Sequence, residues 1–497
     1  MAAVTVREML AAEASAKANG WTEEQLLNAA GERLGVAIGR HFRNAGTVIG
    51  YLGKGHNAGD TLVALRILRD QFGWKIATRS ACPISGFVPI TLKKWDELGL
   101  RQSLDRIPVW RDLKRPLLLL DGLLGIGASG PLRESLLPLS KEMEFLRQNA
   151  GAIVAAVDLP SGIDPDTGEI FAGAVTADVT FMIGNAKIGL LRSGAASATG
   201  ALALVPLEAL TTYQHSELQP ITPQTFKAGK HPRPFDFHKG MAGRVAILAG
   251  SEHYTGAAVL AASGALRGGA GLITLFVPQQ AAAGISAKCP PEIIVRGFDD
   301  PRELLDSTFD SLVIGCGLKL PDADTDRLLE VISKSPAPVV LDAEALNLIA
   351  RLDKTSLLTE NHIITPHPGE FRRLAPDLAD FSREDAAREF TNRCPATLLL
   401  KGCRTIITRK GEPLWCNTTG NPGMASGGQG DLLAGVIGAR LAAGNTPVEA
   451  AALGAWLCGR AAEISLNEPT ISEESMTPGD VLNHLGAAYR DWKTSCR

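Results

Sequence analysis

The chain has 497 residues, 45% of them hydrophobic and 21% charged, with 50 basic against 53 acidic side chains and a formal net charge of -3. That length exceeds one ordinary core and predicts about two to four domains. The interspersed charges argue against a nucleic-acid partner or an anionic membrane surface, and no apolar run approaches the roughly 18–20 residues of a membrane span.

In chain order, Val6 to Ala18 and Thr22 to Phe42 read as helices rich in Ala, Leu and Glu, the second opened by Thr22 as an N-cap ahead of Gln25. These apolar helices suit packing on a sheet or on another copy of the chain, which leaves a homo-oligomer open. The opening stretch also carries Arg7, Glu8, Glu13 and Lys17 without a long apolar core, unlike a secretory signal. Thr47 to Leu52 then reads as a buried strand, Thr61 to Gln71 as a helix, and Leu117 to Leu120 and Ile153 to Val157 as further strands. Between about Thr211 and Pro234 the pattern lapses into Thr, Gln, Pro, His and Lys, so 216–235 is expected to be a linker between domains 1–215 and 236–497. A second series follows: strand Val245 to Leu248, helix Gly256 to Leu266, strand Leu272 to Val277. Strands are also expected at Leu312 to Ile314, Val339 to Leu341, His362 to Thr365, Thr397 to Leu400 and Thr405 to Thr408. Strands alternating with helices in the first half predict a parallel sheet covered on both faces, with functional loops at the strands' carboxyl ends, and the whole chain reads as two α/β domains of different design. The eight cysteines form no Cys-x-x-Cys pair, so reduced thiols and a cytoplasmic location are expected, and zinc has little support.

Four segments fall at the ends of the first sheet's strands: Gly53 to Asp60, Asp121 to Pro131, Asp158 to Asp164, and Gly184 to Lys187. Their glycines let backbone approach a phosphate or ribose. Asn57, Asp121, Asp158 and Ser161 offer hard oxygen atoms without sulfur or histidine, the chemistry of an alkali or alkaline-earth site. In the second half, Asn421 to Asp431 is a glycine-rich turn running into an apolar helix. Such a turn leaves backbone N–H groups aimed at one spot, an anion cradle with the Asp431 carboxylate beside it. That combination describes phosphoryl transfer, with Asp431 taking a proton from a nearby hydroxyl. His367 between prolines also suits a turn, Lys401 a strand end, and Asp431 a helix cap.

Residues 1–215 resemble NAD(P)H-hydrate epimerases, a Rossmann-like three-layer family whose pattern is Asn-Asn-x-Gly-Asp followed by Asp-x-Pro-Ser-Gly. The resemblance implies that His56, Asn57, Ala58, Gly59, Asp60, the turn Gly125, Ile126, Gly127, Ala128, Ser129, Gly130 and Pro131, and Asp158 hold the hydrated nucleotide. Asn57, Asp121 and Ser161 would bind potassium, and Asp158 would be the base. His56 stands where the family has its first Asn, and Thr61 where Gly is common. Residues from about 236 to 490 resemble ADP-dependent NAD(P)H-hydrate dehydratases, a ribokinase-like family, through motifs such as His238-Lys239-Gly240, His367-Pro368-Gly369-Glu370 and Lys401-Gly402. By that resemblance Ala257, Gly317, His367 and Asp431 contact the hydrate. Lys401, Gly402, Cys403, Arg404, Thr405 and Gly430 contact the nucleotide, with magnesium on its phosphates and Asp431 catalytic. Ser426 and Gln429 stand where Thr is common.

The combined expectation is repair of hydrated NADH and NADPH: epimerisation of R and S forms, then dehydration of the S form with ADP, giving AMP and phosphate. Two alternatives stay open at this point, a ribokinase-like small-molecule kinase and a dehydratase fused to a non-catalytic N-terminal scaffold.

Overall fold

Strand residues of the first half alternate between two cores: Val48, Leu52, Leu118 and Leu120 join one hydrophobic cluster, and Ile49, Tyr51, Leu117 and Leu119 another. A sheet of such strands has to be covered on both faces. The computed structural model, which describes residues 3–107, 110–210, 216–226, 228–229 and 232–494, shows this arrangement. The chain divides into two units, Met1–Pro220 and Ile221–Arg497.

In the first unit, Ala3–Val4 (β1) precedes the helices Val6–Ala18 (α1) and Glu23–His41 (α2), the latter capped by a reciprocal Thr22–Gln25 box. Thr47–Leu52 (β2), Lys75–Ser80 (β3), Leu117–Gly122 (β4), Ile153–Val157 (β5), Val179–Ile183 (β6) and Ala201–Val205 (β8) form a parallel sheet in the order β3-β2-β4-β5-β6-β8. Ala186–Lys187 (β7) pairs separately with β1. Unlike the sequence expectation, the helix after β2 starts at His56 and runs to Phe72 (α3). Gly59 sits inside it with a side chain of α2 packed over it: a Cβ there would lie 2.7 Å from Leu27 Cδ1. The glycine that reads as a loop residue is therefore a packing residue.

The second unit's sheet contains Arg244–Leu248 (β10), Leu272–Pro278 (β11), Ile294–Phe298 (β12), Ser311–Ile314 (β13), Val339–Leu341 (β14), His362–Ile364 (β15), Thr397–Leu400 (β16), Ile406–Thr408 (β17) and Leu414–Asn417 (β18). Its order is β12-β11-β10-β13-β14-β15-β16-β17-β18, ending on Leu218–Ile221 (β9). The pairs β16–β17 and β17–β18 are antiparallel, so this sheet is mixed. Part of the stretch read as a linker is the strand β9, followed by buried Phe226 and Ala228. Prolines 220 and 223 masked it, and an edge strand tolerates them. Residues 211–215, 227 and 230–231 of the expected linker and its approach lie outside the described residues, as do 495–497. Among the described residues no helix is long and apolar enough to cross a membrane.

Two glycines bring the helices Thr255–Arg267 and Gln429–Ala442 into backbone contact. A Cβ at Gly435 would lie 1.9 Å from Ala261 O, and one at Gly264 would lie 2.3 Å from Leu432 O. Since neither carbonyl can swing away as a side chain would, Gly435→Ala should destabilise this unit by at least the ~1–3 kcal/mol of an overpacked core. Scanning calorimetry should show its transition moved to lower temperature; an unchanged transition would contradict this packing.

Candidate active sites

An open parallel sheet binds ligands where neighbouring strands send their chains in opposite directions. In the first unit that point lies between β2 and β4, whose exits approach closely: a Cβ at Gly53 would lie 1.9 Å from Leu123 O. A cleft of about 930 Å³ opens there. His56 and Asn57 from the first turn of α3 and Asp60 one turn on line it, together with all seven residues of Gly125 to Pro131 and with Asp158. Ala58 and Gly59 are buried and do not appear in its wall. Asp158 follows β5 with φ 70°, a left-handed conformation that Asp tolerates better than most residues. Its Oδ1 accepts from Ile183 N at 2.8 Å and pairs with the fully buried Lys187, which also donates to Ile183 O at 2.8 Å. Burial, then the charges of Asp158 and Glu13, hold Asp60 well above the usual carboxylate range against the pull of Lys187.

The three residues expected to bind potassium are brought together beside this cleft. Asp121 is fully buried and accepts from Ser161 N at 2.7 Å, Ser161 Oγ at 2.8 Å and Leu123 N at 3.2 Å. Ser161 Oγ accepts from Leu124 N at 3.0 Å, and Asn57 Nδ2 donates to Leu124 O at 2.7 Å. Burial pushes Asp121 up to about 6 despite these hydrogen bonds, all of them from neutral donors. A buried carboxyl group that receives hydrogen bonds from neutral donors has the hard-oxygen chemistry to hold a cation.

In the second unit the switch falls between β10 and β13. Gly250 N donates to Cys316 O at 2.8 Å, and Ser251 Oγ to Gly317 O at 3.1 Å. Gly317 has φ 61°, and a Cβ on it would lie 2.6 Å from that of Ala257. Two residues expected to share the hydrate are thus in contact with each other. One strand along, Asp342 follows β14 and its Oδ1 accepts from Thr365 Oγ1 at 2.9 Å and Lys401 Nζ at 2.7 Å. Lys401 also lies 3.8 Å from Glu370, which is 3.5 Å from His367 Nε2. His367 caps its helix, Nδ1 accepting from Gly369 N at 3.0 Å, so the plain turn reading holds and Nε2 still faces its neighbours.

Asp431 stands in the first turn of Gln429–Ala442, whose N-cap Gly428 has φ 95° and supplies no side-chain cap, leaving the first-turn amides to another acceptor. A Cβ at Gly427 would meet nothing within 4 Å, whereas one at Gly430 would lie 3.3 Å from Lys401 Nζ. The ligand atoms of Asp431, Asp342 and Cys316 lie within 4.8 Å of one another. Burial and then the Asp342 charge push Asp431 up to about 6, against the pull of the Cys316 thiol and Lys401. In the remaining predicted loop, Thr405 Oγ1 donates to Gly402 O at 3.0 Å, Cys403 is exposed, and Arg404 is buried, which lowers it to about 10. The Arg404 side chain is therefore turned inward.

Several site residues escaped sequence reading. Met9, Glu13 and Lys17 repeat at helical spacing along α1 and line the first cleft, a face that reads as ordinary amphipathic helix. Lys187, Asp342, Glu370 and Cys316 lie in segments noted for their residues but received no role.

Two open α/β units, each with carboxyl groups and glycine-rich turns gathered at its switch point, define a two-domain enzyme. Residues 245–485 match the family model described as NAD(P)H-hydrate dehydratase, and 23–189 that of the YjeF-related protein N-terminus. A bifunctional NAD(P)H-hydrate repair enzyme of Gloeobacter violaceus is 34% identical, the match covering 93% of this chain and 94% of the relative. Its counterpart in Moorella thermoacetica is 33% identical, with 94% and 92% covered. A solved ribokinase-like superfamily protein of Enterococcus faecalis superposes with TM-score 0.50 at 25% identity, covering 56% of this chain and 98% of its own. The chain belongs to the family of bifunctional NAD(P)H-hydrate repair enzymes.

The raised Asp431 carries a stability consequence. Its native pKa of about 6 exceeds the ordinary 3.8, so the native state favours the protonated acid, and that contribution is lost as pH rises through about 6. Ionisation at pH 8 then costs on the order of 3 kcal/mol. Asp431→Asn should raise the melting temperature at pH 8 and leave it near wild type at pH 4. An equal shift at both pH values would show that burial of this charge is not the cause.

Proposed function

We propose that the first unit interconverts the R and S hydrates of NADH and NADPH, and that the second dehydrates the S form using ADP, giving AMP and phosphate. The observation that carries this reading is the second cluster. An acid with raised proton affinity stands in the first turn of an uncapped helix, beside a lysine–aspartate pair and beneath an open glycine turn. A ring hydroxyl is a poor leaving group. Above about pH 6, Asp431 is ionised and able to take its proton while the first-turn amides and Lys401 stabilise the phosphoryl group moving onto the oxygen. The C–O bond then breaks with phosphate leaving, and loss of a proton from the neighbouring ring carbon restores the dihydropyridine. A helix terminus is worth only about 0.3–1 kcal/mol here, too little alone. Magnesium would sit on the nucleotide phosphates with Asp342 beside it, and its charge offsets theirs when it is bound. Ala257, Gly317 and His367 would border the hydrate; Gly430 and the backbone of Lys401 to Thr405 would border the nucleotide.

In the first unit, His56, Asn57, Asp60 and the Gly125–Pro131 turn would hold the hydrated nucleotide, and Asp158 would act as base. Both its contacts go to Oδ1, leaving Oδ2 for a proton. Asn57, Asp121 and Ser161 would hold potassium, which supplies a fixed positive charge near the nucleotide when bound. No described helix crosses a membrane, and a cytoplasmic setting suits a substrate formed from reduced nicotinamide nucleotides.

One assay separates the activities. With R-hydrate, ADP, magnesium and the protein, NADH absorbance should recover faster than spontaneous epimerisation allows. Recovery with S-hydrate only would make the first unit a scaffold, and no recovery with either would refute the assignment. Asp431→Asn should lower dehydration at least ~100-fold and spare epimerisation, and Asp158→Asn the reverse. R-hydrate consumption should also rise with potassium, and Asp121→Asn should abolish that dependence. A potassium response retained in Asp121→Asn would remove the cation from this cluster.

A further inference from the structure

Epimerising a hydrated dihydropyridine takes two proton transfers. Hydration of an enamine places the hydroxyl on the carbon bonded to nitrogen, and inverting that carbon requires the hydroxyl to leave from one face and water to return to the other. Departure needs an acid, because hydroxide is a poor leaving group; re-addition needs a base. Departure and re-addition take place on opposite faces of the ring, so two carboxyl groups in opposite protonation states, one reaching each face, suit the exchange.

Asp60 meets these conditions by position. Starting α3 at His56 puts Asp60 one turn further along the face that carries His56 and Asn57, and all three line the cleft together with Asp158. Asp158 has Lys187 as its ion-pair partner, and among the described residues none makes a hydrogen bond or ion pair to the Asp60 carboxyl group. We propose that Asp60 is the general acid of the epimerase cleft, working against Asp158 as base, an inference that rests on the epimerase reading above.

The Asp60 proton passes to the hydroxyl oxygen, the C–O bond breaks with its electron pair leaving on water, and the ring nitrogen's lone pair forms C=N⁺. Water then adds to the other face as Asp158 takes its proton. A proton returning from Asp158 to Asp60 through solvent restores the starting state, so the cycle consumes nothing. The charged groups facing Asp60 agree with this division of roles. Asp158 and Glu13 of α1 raise its proton affinity, Lys187 opposes them from β7, and Lys17, Glu23, Lys54, His56 and Arg133 complete the charged lining.

The test compares Asp60→Asn, Asp158→Asn and Glu13→Gln in the full chain, with R-hydrate for epimerisation and S-hydrate with ADP for dehydration. Asp60→Asn should keep KM within about threefold and lower epimerisation kcat at least ~100-fold, because Asn keeps the hydrogen bond and cannot give up a proton. Wild-type kcat should fall as rising pH ionises Asp60, and Glu13→Gln should move that fall to lower pH by removing a negative neighbour. An Asp60→Asn kcat within threefold of wild type, or a fall unmoved in Glu13→Gln, would overturn the acid assignment. Loss in Asp158→Asn without loss in Asp60→Asn would defeat this inference alone. A wild-type chain inactive on R-hydrate would defeat the epimerase reading itself.

Discussion

In each unit a lysine is withdrawn from water against an aspartate at the carboxyl edge of the sheet, Lys187 on Asp158 and Lys401 on Asp342. A lone ammonium buried there would be too costly to keep charged, and so would a lone carboxylate. Paired, each fixes one charged carboxylate, and that charge acts on the next acid along. Asp158 raises the proton affinity of Asp60, and Asp342 raises that of Asp431, each adding to the larger effect of burial. The lysines thus govern proton chemistry one residue removed from themselves. Lys401 also has a direct role within reach, since its ammonium lies close to Gly430.

The backbone makes room for these side chains through glycines that nothing larger could replace. At the second switch point Gly315 has φ 118°, and a Cβ there would lie 1.9 Å from Asp342 O, so β13 and β14 exit close enough for Cys316 and Asp342 to converge. Ala343, with φ 48° and ψ -115°, then turns the chain away, a strained conformation of the kind that costs on the order of 1–3 kcal/mol. Both strained non-glycine turns at these edges involve a key carboxylate directly, Asp158 as the residue itself and Ala343 as the one after Asp342. The strain is the cost of aiming those carboxylates along the edge instead of into the sheet.

What the sequence made legible follows from the same physics. Wholly apolar strands such as Leu117–Leu120 and Ile153–Val157 announced themselves because both of their faces are buried. Lys75–Ser80 did not, since its half-exposed edge mixes Lys, Thr, Arg and Ser, and Leu218–Ile221 was hidden by a proline an edge can bear. Site residues carried by glycine turns were readable, because a turn of that composition has few other uses. Glu13 and Lys17 were not, as their spacing on α1 is that of any amphipathic helix, and only the fold reveals which face meets a cleft. Arg404, expected to contact the nucleotide, has a buried side chain that its sequence context did not announce.

The two sites differ in what their acids must do, and their surroundings follow that difference. The proposed epimerisation passes through a cationic C=N⁺ ring, a charge that suits a cleft gathering several acids around Asp60, and the same acids raise the proton affinity of Asp60. Moving a phosphoryl group concentrates negative charge, and a site for it needs donors aimed at that charge before it arrives. The second cluster has them in the uncapped first turn of Gln429–Ala442 and in Lys401, with Asp431 alone in that turn exposed to the pull of both. An acid raised only to about 6 suits that place, because it is ionised at neutral pH and yet basic enough to accept a hydroxyl proton as the phosphoryl group takes over the oxygen. Anchoring that turn by backbone contact between its helix and Thr255–Arg267 keeps amides and carboxylate in fixed register, which a helix packed only through side chains would hold less firmly.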